Sequence, residues 1–131
     1  MITIASILSM NPEVLVIDEP TLGMDFRGRE SVMALIDRLN QLGKTIVIIT
    51  HDMKVVASHS NRVLVLSEGE LILDCKTTKL FKDHDEVLSR ASLKPPERIL
   101  LAREMGVEDL IHDGTIENLS EKVREMLARV L

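Results

Sequence analysis

At 131 residues the chain has room for one ordinary domain, or a small domain with an appendage, and 45% hydrophobic residues with only 2% aromatics dictate an aliphatic core. Sixteen basic against twenty-one acidic residues leave a net charge of -5, which argues against a nucleic-acid surface and against a strongly basic membrane-binding face. The longest apolar run, Val32 to Ile36, is five residues, far short of the ~20 a membrane-spanning helix requires. No signal peptide is visible, and a lone Cys75 can form no internal disulfide and suits a reducing cytosol.

In chain order, Ile2 to Met10 reads as the tail of a helix, halted at Asn11 and Pro12 because proline disfavours helix in the residue before it. Val14 to Ile17 is predicted as a buried strand. Val32, Leu35, Ile36 and Leu39 then recur at helical spacing, with Asp25 placed near the helix start and Gly43 at its end. Ile46 to Ile49 is a second continuous apolar run, and runs apolar on both faces suit parallel strands covered by helices. Two short apolar runs within Arg62 to Asp74 flank Ser-Glu-Gly-Glu, which predicts a hairpin with Gly69 in the turn. Strands alternating with helical segments give the fold class α/β.

After Cys75 the charges rise, Lys94-Pro95-Pro96 interrupts, and the apolar residues keep a helical period, so residues 76–131 are predicted as an all-helical extension of a core segment spanning 1–75. Thr77 or Thr78 is placed to cap a short helix through Phe81, and Asp85 to open a second towards Ala91. Pro95 and Pro96 start a third, with Ile99, Leu100 and Met105 as its apolar face before Gly106. Leu119, Val123, Met126, Leu127 and Val130 mark a last helix that begins near Asn118 or Ser120.

The chemistry concentrates at two strand ends. VLVIDEPTLGMD, Val14 to Asp25, runs a buried strand straight into paired carboxylates, and TIVIITHD ends the next strand in His51 and Asp52. Acids at the carboxyl end of a parallel strand sit where open α/β sheets bind ligands. There an Asp can hold a hydrated magnesium ion while the adjacent Glu orients water, the logic of a nucleotide hydrolase. A strand that merely ends in a polar loop produces the same string, and a lone histidine is ordinarily a satisfied loop residue, so the weight rests on the combination. Cys75 reads as a small apolar filler, and His59, His84 and His112 as surface residues. Gly43-Lys44-Thr45 imitates the end of a phosphate-binding loop, but that loop needs a glycine five positions earlier, where Arg38 stands, and a helix rather than a strand after it.

VLVIDEPTLGMD, then IITHD with His51 lying 33 positions after Asp18, then RVLVLSEGELI, resembles the second half of the ATP-binding cassette (ABC) ATPases. In that family the strand-end Asp and Glu form the Walker B pair, TLGMD matches the D-loop, and the strand-end histidine is the switch histidine. The resemblance implies that Asp18 helps hold magnesium, Glu19 polarises the attacking water, and His51 contacts the γ-phosphate and the water. It implies further that Asp25 faces a second cassette across an ATP sandwich. ATP and Mg2+ are the cofactors of the complete parent protein; this chain alone is expected to hold neither.

ITIASILSMNPEVLVIDEP looks like the stretch just after the family's signature sequence, with Met1 where an arginine is usual. The signature, the Q-loop and the Walker A loop are missing from the 131 residues. Phe26 stands where proline is frequent, and Leu22 and Met24 vary the D-loop, without removing a catalytic group. KLFKDHDEVLSRASLKPPERILLAREMG is similar to the region after the cassette in energy-coupling-factor and cobalt or nickel importers. By that resemblance the parent is a cytoplasmic subunit at the inner face of the membrane that drives uptake of a vitamin or metal ion. Its partners would be a second ABC ATPase subunit and membrane transport subunits, with no nucleic acid. The isolated chain is expected to form a homo-oligomer. A non-catalytic association module derived from such an ATPase is the alternative. A chromosome-maintenance type ATPase is disfavoured by the hairpin and the proline-bearing extension.

Overall fold

A computed structural model describes residues 9–106 and residue 124. The predicted helix tail over residues 2–8 and the last predicted helix, Arg124 apart, lie outside the described residues, as does His112. The chain divides into two compact units, Met1–His51 and Asp52–Leu131.

In the first unit, β1 (Val14–Asp18) pairs in parallel with β2 (Thr45–Ile49), from Val14 opposite Thr45 to Asp18 opposite Ile49. Between them runs α1 (Phe26–Gln41), which buries Val32, Met33, Ile36 and Leu39, while Leu15 is buried on β1. The helix starts on Asp25, whose carboxylate accepts the Gly28 N–H at 2.8 Å. It stops at Gly43, with φ +89. The Gly43 N–H donates to Asn40 O and the Lys44 N–H to Leu39 O, so two carbonyls of the last turn are satisfied where the chain reverses. The sequence predicted strands buried on both faces. The structure corrects this, because Val14, Val16, Val47 and Ile49 remain 41–64% exposed on one face. No element among the described residues of this unit covers that side.

The second unit opens with α2 (Met53–His59), capped by Asp52 accepting from the Lys54 N–H at 2.9 Å. The hairpin follows as β3 (Arg62–Ser67) and β4 (Glu70–Lys76), antiparallel, with a register shift between Val65 and Leu66. Its two-residue loop puts both Glu68 (φ 53) and Gly69 (φ 82) in the left-handed region, as the tight turn matching strand twist requires. Three short helices follow among the described residues: α3 (Thr77–Asp83), α4 (Asp85–Arg90) and α5 (Glu97–Glu104). Met53, Val56, Val65, Leu80, Phe81, Leu88 and Ile99 form its core.

Two details of the extension depart from expectation. Thr77 does not cap α3; it is the first helical residue, and its hydroxyl donates to Ser60 O at 2.7 Å and sits 2.9 Å from the Ser60 hydroxyl. Leu100 is 44% exposed, and the buried face of α5 is Ile99 and Ala102, three residues apart on one side of the helix. Arg103 ties the helices together by forking onto the Asp85 carboxylate at 2.8 and 3.0 Å and donating to the Phe81 carbonyl.

Candidate functional site

The parallel pairing brings the carboxyl ends of β1 and β2 side by side, and every group of interest in the first unit follows from that. Asp18 ends β1 opposite Ile49 and is exposed. The Glu19 N–H still donates to Ile49 O at 2.8 Å, but its backbone has turned into the left-handed region, with φ +43. Pro20 then supports a turn closed by the Leu22 N–H on Glu19 O at 3.2 Å. A non-glycine residue at positive φ is uncommon and strained. Here the strain swings the Glu19 side chain across to the end of β2.

Both oxygens of that carboxylate are engaged there. The Thr50 hydroxyl donates to Oε2 at 2.9 Å, the His51 backbone N–H donates to Oε1 at 3.1 Å, and His51 Nδ1 lies 2.6 Å from Oε1. The Thr50 hydrogen bond, opposed by desolvation and reinforced by His51, holds the Glu19 carboxyl below its usual range. An ionised carboxylate only accepts, so Nδ1 carries the proton of this contact. The His51 side chain is 76% exposed and that of Glu19 24%, which leaves the imidazole open to a ligand above the strand ends.

Asp25 lies after the turn on the exposed N-terminus of α1, held by its capping bond. A Cβ on Gly28 would approach Asp25 Oδ1 to 2.9 Å, so a glycine there gives the carboxylate room to cap. Lys44 donates from Nζ to Asn11 Oδ1 and to Pro12 O, both at 2.7 Å, and so serves the loop before β1 rather than a phosphate cradle. Among the described residues no group of three or more His, Cys, Asp or Glu side chains could hold a metal. Asp18 brings a single carboxylate, which fits magnesium bound largely through water and ligand oxygens and does not fit an all-protein cage.

Comparison with known proteins decides the relationship. A protein of Vibrio parahaemolyticus described as an ABC transporter ATP-binding protein is 40% identical over 109 residues, covering 82% of this chain and 19% of that protein. One from Streptococcus pneumoniae is 42% identical over 109 residues, covering 83% of this chain and 19% of that protein. The chain's homologues are ABC transporter ATP-binding proteins. The chain spans less than a fifth of the length of these curated relatives. No protein-family model matches it. Among solved structures, CbiO1 from Clostridium perfringens, part of the ABC transporter complex CbiONQ, superposes with a TM-score of 0.57 at 36% identity, covering 78% of this chain and 41% of that one. The parallel strand pair with α1 thus matches a portion of the ABC ATPase fold that the sequence resembles.

Of the residues singled out from the sequence, the structure joins Glu19 directly to His51, sets Asp18 next to them at the strand end, and gives Asp25 a capping bond on α1. Thr50 was not singled out. Its only signal was position, a hydroxyl residue one place before a strand-end histidine and level with the acids of the neighbouring strand.

Proposed function

We propose that residues 1–75 are the C-terminal half of an ABC nucleotide-binding domain and residues 76–131 its helical extension. On this reading they belong to the ATP-hydrolysing subunit of an importer of energy-coupling-factor or cobalt/nickel type. The observation that carries this is the convergence of Glu19, Thr50 and His51 at the adjoining ends of two parallel strands. The likeness to CbiO1, part of an ABC transporter complex, supports a transporter subunit, and the importer class rests on the resemblance of the segment after Cys75. In this reading the subunit works in the cytoplasm, on the inner face of the membrane, with a second ABC ATPase subunit and membrane transport subunits. The cargo is a vitamin or a metal ion.

The roles follow from the geometry. Asp18 would hold magnesium through water, and Asp25 would face the second cassette while capping α1. When bound, magnesium and the nucleotide phosphates supply the electrophile. Glu19 is ionised and its carboxylate has about four lone-pair sites. Three are taken by the Thr50 hydroxyl and the two His51 donors, which leaves one on Oε2 to accept a hydrogen bond from water and draw its proton. His51, with Nδ1 donating to Glu19, presents Nε2 as an acceptor that becomes a donor on protonation.

The test is to supply the phosphate-loop half of a cassette, fused or as a second polypeptide, and to compare Glu19→Gln and His51→Ala with the unsubstituted protein. Both should retain ATP binding and lose hydrolysis by ~10²-fold or more, because one proton-accepting or charge-stabilising group is gone. Near-normal turnover by Glu19→Gln would rule out its role.

A further inference from the structure

Three donors hold the Glu19 carboxylate, and they are not equivalent. Two come from His51 and both reach Oε1; Thr50 alone reaches Oε2. The last torsion of a glutamate side chain is broad and nearly unhindered, so a carboxylate tethered through one oxygen still swings its other oxygen. A second tether fixes the plane. The Thr50 hydroxyl is half-buried at the end of β2, one residue beyond the last paired position, so the parallel register sets its place.

We propose that Thr50 is a positioning residue: by donating to Oε2 it fixes the plane of the Glu19 carboxylate, and with it the direction of the one lone pair left for water. This rests on the reading of Glu19 as the water-polarising group, but the structural claim can be tested apart from it. Without the Thr50 donor, Oε1 stays on its two His51 contacts while Oε2 swings about the last side-chain torsion, so the carboxylate keeps its place and loses its direction. Serine keeps the donor; valine keeps the shape and removes it.

The experiment uses the 131-residue chain. Carbon-13 relaxation of the Glu19 carboxyl, which reports rotation of the carboxylate plane, is recorded for the unsubstituted chain, Thr50→Val and Thr50→Ser. The unsubstituted chain and Thr50→Ser should show a Glu19 carboxyl carbon as ordered as the backbone carbonyls around it. Thr50→Val should give a Glu19 carboxyl carbon with the lower order of a rotating carboxylate. A Thr50→Val chain with the unsubstituted spectrum overturns the proposal. If Thr50→Val fails to fold, the unsubstituted chain decides: the Thr50 hydroxyl proton must exchange slowly and show proximity to the Glu19 side chain. Exchange as fast as that of an exposed threonine overturns the proposal equally. In the reconstituted cassette, Thr50→Val should lower kcat for ATP hydrolysis about 10-fold with KM unchanged, and Thr50→Ser should restore it. A Glu19→Gln enzyme of normal turnover would instead refute the catalytic reading while leaving the spectra as described.

Discussion

The Asp25 carboxylate closes the N-terminus of α1 by accepting the Gly28 N–H, and an exposed cap of this kind contributes about 1 kcal/mol. Asp25→Ala should lower the stability measured by urea unfolding by that much at unchanged slope, while Asp25→Asn, which can still accept, should stay near the unsubstituted value. In the hairpin, Arg62 donates to Asp74 through two nitrogens, at 2.8 and 2.6 Å. The Arg62 hydrogen bonds hold the Asp74 carboxyl below its ordinary value of 3.8 against opposing desolvation. A carboxyl depressed by folding stabilises the fold above its unfolded pKa and loses that contribution as pH falls through the folded one. The difference in melting temperature between the unsubstituted chain and Asp74→Asn should therefore be constant near neutrality and shrink below the ordinary aspartate range. Glu19 and His51 were legible at this scale because strand-end acids and a strand-end histidine form a spaced pattern. The positive φ of Glu19 was not, since glutamate gives no sign of a left-handed backbone.

Elements were legible where hydrophobic period and length agreed. The strands read as Val14 to Ile17 and Ile46 to Ile49 are observed as Val14–Asp18 and Thr45–Ile49, one residue longer at one end each. α2 was not identified, although the Asp52 cap was an available sign. Nor did the sequence show that the helices after Cys75 share one core with the hairpin and α2. Phe81 and Leu80, both fully buried, pack in the cluster that includes Val65, Met53 and Val56. Pattern identifies an apolar face but not what it meets. Phe81→Ala should cost about 3–5 kcal/mol, and its effect should extend to the hairpin, seen as faster exchange of the β3 and β4 amides. Loss of protection confined to α3 would show that the hairpin is stable without the helices.

For the whole molecule the decisive feature is apolar surface. Val14, Val16 and Ile49 on the strand pair, and Leu64, Leu66 and Leu71 on the hairpin, are each more than half exposed. Among the described residues each sheet has two strands, so each strand has an edge that no described strand pairs. Surfaces of this kind recruit other chains, and a two-fold dimer is the commonest closed arrangement. Light scattering at tens of micromolar should report a dimer or a larger assembly; a clean monomer of 14.7 kDa would mean that these faces are tolerated bare.

The left-handed backbone at Glu19 bears on how this position can vary. A side chain held at positive φ costs roughly 1–2 kcal/mol that glycine avoids and asparagine eases. Selection for folding alone would thus drift residue 19 towards Gly or Asn, whereas selection for turnover holds it at Glu. Position 19 is where the two pressures pull a lineage apart, and a copy released from its chemistry would be expected to betray it there first.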